Sequence, residues 1–127
     1  MMANIKKNVD MDETLGSLLK VHDVLEYIVL NELQKKSHYL LQLEQIIVKE
    51  LDGVGVNRGY LSQRITKLIE NGHIERAGSD PNHRLIVLLR LTDSGLTYLN
   101  MLKMRVPERV KLALRTYNAF DKYIQRK

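Results

Sequence analysis

Between residues 57 and 71 the sequence reads NRGYLSQRITKLIEN, and its polar members return at helical spacing. Arg58, Gly59, Ser62, Gln63, Thr66 and Lys67 share one face of such a helix, with a single acid, Glu70, near its far end. A glutamine can pair at two points with the edge of adenine, and an arginine with guanine or with a phosphate. Gln63 is the candidate for the first role and Arg58 or Arg64 for the second. Arg64 lies closer to the apolar side, which favours phosphate. Tyr60, near the helix start, either packs against the preceding turn or hydrogen-bonds a phosphate. The plainer reading of the same residues is a solvated surface, the commonest fate of polar side chains. Position in the chain has to choose between the two.

The surroundings of this segment favour the first reading. Asn57 is a good N-cap, and Leu61, Ile65, Leu68 and Ile69 make the opposite side apolar. Gly72 stands where a helix often ends in a left-handed residue. Upstream, YLLQLEQIIVKEL places Leu40, Leu43, Ile46, Ile47 and Leu51 on a second amphipathic helix, and DGVGV predicts a turn between the two. Helix, Gly-containing turn, helix is the spacing of a helix-turn-helix, whose second member enters a DNA major groove. Downstream, HIERA and RLIVLLRL are β-prone runs on either side of GSDPNH, which predicts a hairpin with a loop too long for a tight turn.

That order of elements is a winged helix, with residues 77–85 as the wing and the recognition helix at 57–71. Arg84 is the wing residue expected to enter a minor groove or neutralise a phosphate, with His83 as its neighbour or a bystander. Arg76 and Arg90 flank the hairpin on its strands, and the strand register decides where they point.

The remaining segments read as helices at either end. DMDETLGSLLKVHDVLEYIVLNELQKK carries Leu15, Leu18, Val21, Leu25, Ile28 and Leu33 at helical spacing, with a break expected near His22. Its stretch from Val24 to Leu30 is apolar almost all round and belongs in a core or a subunit contact. After Thr92 and Asp93, another helix carries Leu96, Leu99, Met101 and Leu102, and Pro107 is expected to stop it or to open the next. From there Val110, Leu114, Tyr117, Phe120 or Asp121, and Ile124 form a stripe, for which a second subunit is the economical partner. Lys111, Arg115, Lys122 and Arg126 also make that segment basic and amphipathic, so a membrane surface is a further reading.

Composition sets the outer bounds. A chain of 127 residues, 44% hydrophobic, suffices for one domain with a modest core. No apolar run is long enough to cross a bilayer, and MMANIKKNVDMDE lacks the apolar stretch of a signal peptide. Cysteine is absent, which removes disulfides and thiolate metal sites, and a cytoplasmic location fits. His22, His38, His73 and His83 stand at no metal-ligand spacing, so neither metal nor other cofactor is expected. No phosphate loop or nucleophile elbow marks an enzyme. Net charge is +5 and uneven: residues 1–52 hold 6 Lys/Arg against 9 Asp/Glu, residues 53–90 hold 6 against 3, and residues 91–127 hold 8 against 3. The positive excess falls on the segments just singled out, as capture of a polyanion requires.

Over roughly residues 40–100 the sequence resembles the MarR family of winged-helix repressors, with the PadR family similar in organisation and the ArsR type more distant. The likeness rests on Leu68, Gly72 and Ile74 as L-x-x-x-G-x-I, on Asp80, Pro81 and Arg84 as D-P-x-x-R, and on Leu91, Thr92 and Gly95 as L-T-x-x-G. Where MarR-like wings commonly carry Asp-x-Arg before the second strand, this chain has His83, Arg84 and Leu85.

The expectations are therefore a mainly α fold with a small β-hairpin, a winged helix-turn-helix with terminal dimerisation helices. Residues 1–13 would be a flexible N-terminus, 14–104 the DNA-binding domain and 105–127 a dimerisation helix. The function implied is that of a homodimeric repressor on double-stranded DNA, with no membrane partner. Two alternatives stand beside it: a centromere-binding adaptor that docks a plasmid or phage segregation protein, and a protein-interaction module without a DNA role.

Overall fold

A computed structural model describes residues 13–80 and 83–126, and their side chains except those of 79–86. The expected flexible N-terminus therefore lies outside the described residues, save Glu13. The chain runs through a 3-10 turn at Leu15–Ser17, α1 (Val21–Lys35), β1 (His38–Tyr39), α2 (Leu40–Glu50), α3 (Arg58–Glu70), β2 (Ile74–Asp80), β3 (His83–Leu91) and α4 (Asp93–Arg126). It is mainly helical with one small antiparallel sheet of order β1-β3-β2. The helix-turn-helix is α2 and α3, and the hairpin follows as expected.

Four expectations need correction, the last of them at Pro107. The first concerns the N-terminal helix, whose break falls between Ser17 and Val21 and so before His22. Arg109 of α4 clasps the turn there, donating to the carbonyls of Ser17 and Leu18 and to the Glu13 carboxylate. The second concerns the link at Ser37 and His38. His38 and Tyr39 form a short strand paired with Leu89 and Leu88, and His38 is buried. Two residues carry too little periodicity to be read from sequence as a strand. The third concerns the hairpin loop: β2 runs on to Asp80 and β3 starts at His83, leaving Pro81 and Asn82 between them. The pairing is irregular, shifting register between Arg76 and Gly78 and again between Ser79 and Asp80.

Pro107 neither stops a helix nor starts one. It lies inside α4, a single helix of 34 residues that crosses the boundary expected at 104/105. An interior proline costs about 3 kcal/mol, because it lacks an N–H and crowds the carbonyl four residues back. Packing outweighs that cost here. Leu102, Val106 and Ala113 are buried on either side of Pro107, which is itself exposed and leaves Lys103 on the wet side of the helix.

The core gathers one face of every helix: Leu25, Leu30, Leu43, Ile47, Leu61, Leu68, Leu99 and Leu102 are at most 2% exposed. The stretch from Val24 to Leu30 joins it through Leu25, Val29 and Leu30. The L-T-x-x-G segment is the joint between α3, the hairpin and α4. Thr92 Oγ1 donates to the Gly72 carbonyl at 2.6 Å and accepts from the Gly95 N–H at 3.0 Å, while Thr92 N–H donates to the His73 carbonyl at 3.2 Å. Gly95 packs so closely that a Cβ there would lie 2.0 Å from the His73 carbonyl oxygen and 2.6 Å from Leu91 Cδ1. Gly95→Ala should accordingly cost about 2–4 kcal/mol of stability, read as a lowered urea midpoint, since the clash is with backbone. A midpoint unchanged from wild type would mean that this joint is not tight.

Candidate nucleic-acid interface

The recognition segment is built as its composition dictates. Asn57 is extended, and its Oδ1 accepts from the Tyr60 N–H at 3.0 Å, closing the first turn of α3. Gly59 leaves room for that cap, since a Cβ would sit 3.1 Å from Asn57 Oδ1. The turn before it is made by Asp52 and Gly53 at positive φ, and Gly72 at φ +82 ends the helix. Leu61, Ile65 and Leu68 are buried beneath it. Arg58, Gly59, Gln63, Thr66 and Lys67 are exposed, and Ser62 is half-buried between the two sides. The polar face predicted from spacing is the face turned to solvent.

Individual side chains are engaged to different degrees. Arg58 reaches across the helix-turn-helix to Glu44 of α2, with Nε donating to Oε2 at 2.6 Å and Nη2 to Oε1 at 2.9 Å. That bond raises the guanidinium above its ordinary pKa and holds it in one orientation. Lys67 stands 3.8 Å from Glu70, a loose pair on the helix surface. Tyr60 is half-buried and packs against the core cluster. Arg64 faces inward: only 25% of its side chain is exposed, and its guanidinium donates to the buried Glu26 of α1. Its position on the apolar side puts it in the core's polar seam and away from the outer face.

On the other side of α3, Arg76 of β2 is exposed and shares with it an open groove of about 650 Å³. Tyr39, Leu41, Ile65, Ile69 and Val87 supply its apolar lining, and Arg58, Ser62, Thr66 and Arg76 line it with polar groups. The fold thus brings four of the predicted residues to one concavity between recognition helix and hairpin. Arg90, paired with Leu-rich β3's neighbour strand through Glu75 at 2.7 Å, is tied to the sheet surface. His83, paired with Asp80, and Arg84 lie at the start of β3 in the irregular stretch of the hairpin; their side chains are outside those described.

Sequence reasoning missed several residues of this surface, two of them polar and informative. Glu44, fourteen positions before Arg58, and Tyr39, on the unforeseen strand, gave no local signal of belonging to it. Among the described residues no cluster of His, Asp and Glu could hold a metal ion. No described helix is long and apolar enough to cross a membrane.

No family model matches the sequence, and no curated protein aligns with it. Solved structures do match in fold. A transcriptional regulator from Clostridium thermocellum shares 20% identity over 79% of this chain and 95% of its own, with a TM-score of 0.63. PadR from Bacillus subtilis in complex with operator DNA shares 24% over 65% of this chain and 48% of its own, with a TM-score of 0.56. A MarR variant from E. coli complexed with operator DNA shares 21% over 97% and 88%, with a TM-score of 0.52. The fold is therefore the winged helix, similar to that of MarR and PadR regulators, as the sequence motifs led one to expect.

Because Asn57 alone caps α3, Asn57→Ala should lower stability by about 1 kcal/mol in a denaturant titration. Asn57→Ser should recover most of that loss; an alanine variant as stable as wild type would show the cap to be idle.

Proposed function

We propose that this protein is a transcriptional regulator that binds duplex DNA as a homodimer and represses by occupying its site. The observation that carries the reading is the two-sidedness of α3: Leu61, Ile65 and Leu68 buried, with Arg58, Gln63, Thr66 and Lys67 turned outward beside a hairpin. The likeness to structures solved with operator DNA supports it. Segregation draws no comparable support, since the neighbours named above are regulators. In this reading α3 enters the major groove, Gln63 and Arg58 address base edges, and Asn57, Gly59, Tyr60, Ser62, Thr66 and Lys67 meet bases or backbone around them. Arg76 and the wing residues His83 and Arg84 lie toward the flanking phosphates. Such a protein needs no cofactor or catalytic group, and its place of work is the cytoplasm.

The dimer is supported by α4. Leu99, Leu102, Val106 and Ala113 are buried in the core, with Val110 half-buried among them. Carried forward at the same steps of three and four, this face reaches Tyr117, Phe120 and Ile124, which are 53–57% exposed. Beyond Ala113 the helix extends thirteen residues, about 20 Å at 1.5 Å per residue, with its apolar stripe uncovered. A second copy packed by its own stripe covers both. Two-fold symmetry then sets the recognition helices about 34 Å apart, one turn of duplex.

Selection from duplexes with a randomised centre, followed by fluorescence anisotropy, tests the reading. The enriched duplex should bind with an affinity that falls by about a thousandfold or more between 50 and 200 mM salt. Lys67→Ala and Arg84→Ala should weaken all duplexes alike and lower the salt slope by about one each, whereas Gln63→Ala should relax base preference at one position. Failure to enrich any sequence at low salt would defeat the proposal.

Phe120→Glu should convert a dimer, seen by light scattering on a sizing column, into a monomer with much weaker DNA binding. A wild-type chain already monomeric at micromolar concentration would remove the dimer from the mechanism.

A further inference from the structure

Beneath the outward face of α3 lies a carboxylate that no contact with DNA requires. Glu26 of α1 is 2% exposed, and both of its oxygens are taken by other helices. Arg64 of α3 donates to Oε2 through Nε at 3.2 Å and Nη2 at 2.7 Å. Tyr98 of α4 donates to Oε1 through its hydroxyl at 2.6 Å. A charge withdrawn from water this far is tolerated only when its partners are in place, and removing one leaves the rest uncompensated. The surroundings keep the donors as donors. Burial, then the bond to Glu26, pushes the Tyr98 phenol up to about 12, and the same carboxylate raises the Arg64 guanidinium above its ordinary range.

The same tyrosine touches the end of α3. Its ring stacks on His73 with centroids 4.6 Å apart and planes 9° from parallel, and His73 Nδ1 is 2.9 Å from Ser94 Oγ at the start of α4. His73 follows directly on Gly72, where α3 ends. The recognition helix is therefore held at mid-length through Arg64 and at its C-terminal end through His73, and both holds converge on Tyr98.

Apolar packing fixes which side of a helix faces inward, but leaves its rotation loosely set, because Leu and Ile contacts are non-directional. Hydrogen bonds to a single carboxylate are directional and bounded in length. Successive residues advance about 100° around a helix, so Ser62 and Thr66 point about 160° away from Arg64. Holding the one sets the direction of the others.

We propose that Glu26 and Tyr98 are positioning residues that act through Arg64 to set the rotation of α3, and thereby the register at which its outer face meets base edges. This rests on the DNA reading above. Phosphate contacts tolerate a small rotation, whereas paired hydrogen bonds to a base edge do not. The signature is thus a loss of sequence selectivity without a matching loss of affinity.

The test uses the full-length protein and two probes: the duplex enriched by the wild type from a pool with a randomised centre, and an unenriched duplex from the same pool. Anisotropy is measured on both, with circular-dichroism melts in parallel, for wild type, Tyr98→Phe, Glu26→Gln, Arg64→Lys and the Tyr98→Phe/Arg64→Lys pair. Tyr98→Phe should unfold cooperatively, bind the unenriched duplex within about twofold of wild type and lose roughly tenfold of its preference for the enriched one. Arg64→Lys should do likewise, and the pair should lose little more than the worse single variant, as members of one network do. A lowered melting temperature with preference unchanged would overturn the proposal and make the network merely structural, as would an equal loss on both duplexes. A wild type that enriches nothing would overturn the DNA reading, and this proposal with it. Should Glu26→Gln fail to fold, Tyr98→Phe, which removes one oxygen, still decides.

Discussion

The apolar side of α3 has to be buried, and most of what faces outward on this protein follows from that requirement. Leu61, Ile65 and Leu68 are at most 5% exposed, and each contributes about 1.5–3 kcal/mol by leaving water. The exposed ion pairs on the same helix, Arg58 with Glu44 and Lys67 with Glu70, are screened by water and contribute less. These exposed pairs therefore do not choose which side of the helix faces inward. Hydrophobic burial chooses it, and Arg58, Gln63, Thr66 and Lys67 are outside because Leu61, Ile65 and Leu68, which share the other side of the helix, are inside.

A face is useful to a ligand as rigid as duplex DNA only if its neighbours are fixed relative to it. The close approach of Gly95 to the His73 carbonyl, with Thr92 bridging Gly72 and Gly95, joins the end of α3, both long strands and the start of α4 within a few residues. The hairpin and α3 share that joint. Farther out the strand register shifts between Arg76 and Gly78 and again between Ser79 and Asp80.

Sequence made the periodic parts legible. The spacing of Leu61, Ile65 and Leu68 gave α3 and its outer face, Asn57 and Gly72 gave its ends, and Thr92 with Asp93 marked the start of α4. What stayed hidden was set by distant partners. Arg64 looks like one more basic residue until Glu26, thirty-eight positions away, is found beside it. Glu44 turns Arg58 from a loose cation into an oriented one, and β1 exists only because β3 is there to pair with it. Pro107 misled for a related reason: local propensity ends a helix there, and the buried residues on either side of it carry the helix through.

Helix α4 ties these observations together. Its first half is core, its Tyr98 reaches the carboxylate that holds Arg64, and its second half carries the same stripe into solvent. One uninterrupted helix thus links the inner side of α3 to the surface best suited to a second copy. The helix runs through Pro107 without a break, so the core half and the exposed half of the stripe belong to one element. Two of its side chains hydrogen-bond across to another helix: Arg105 to Asp23 at 2.9 Å, and Tyr98 to Glu26 at 2.6 Å. Both bonds end on α1, whose Asp23 and Glu26 are buried, so in the proposed dimer α1 stands between the far stripe of α4 and the inner side of α3.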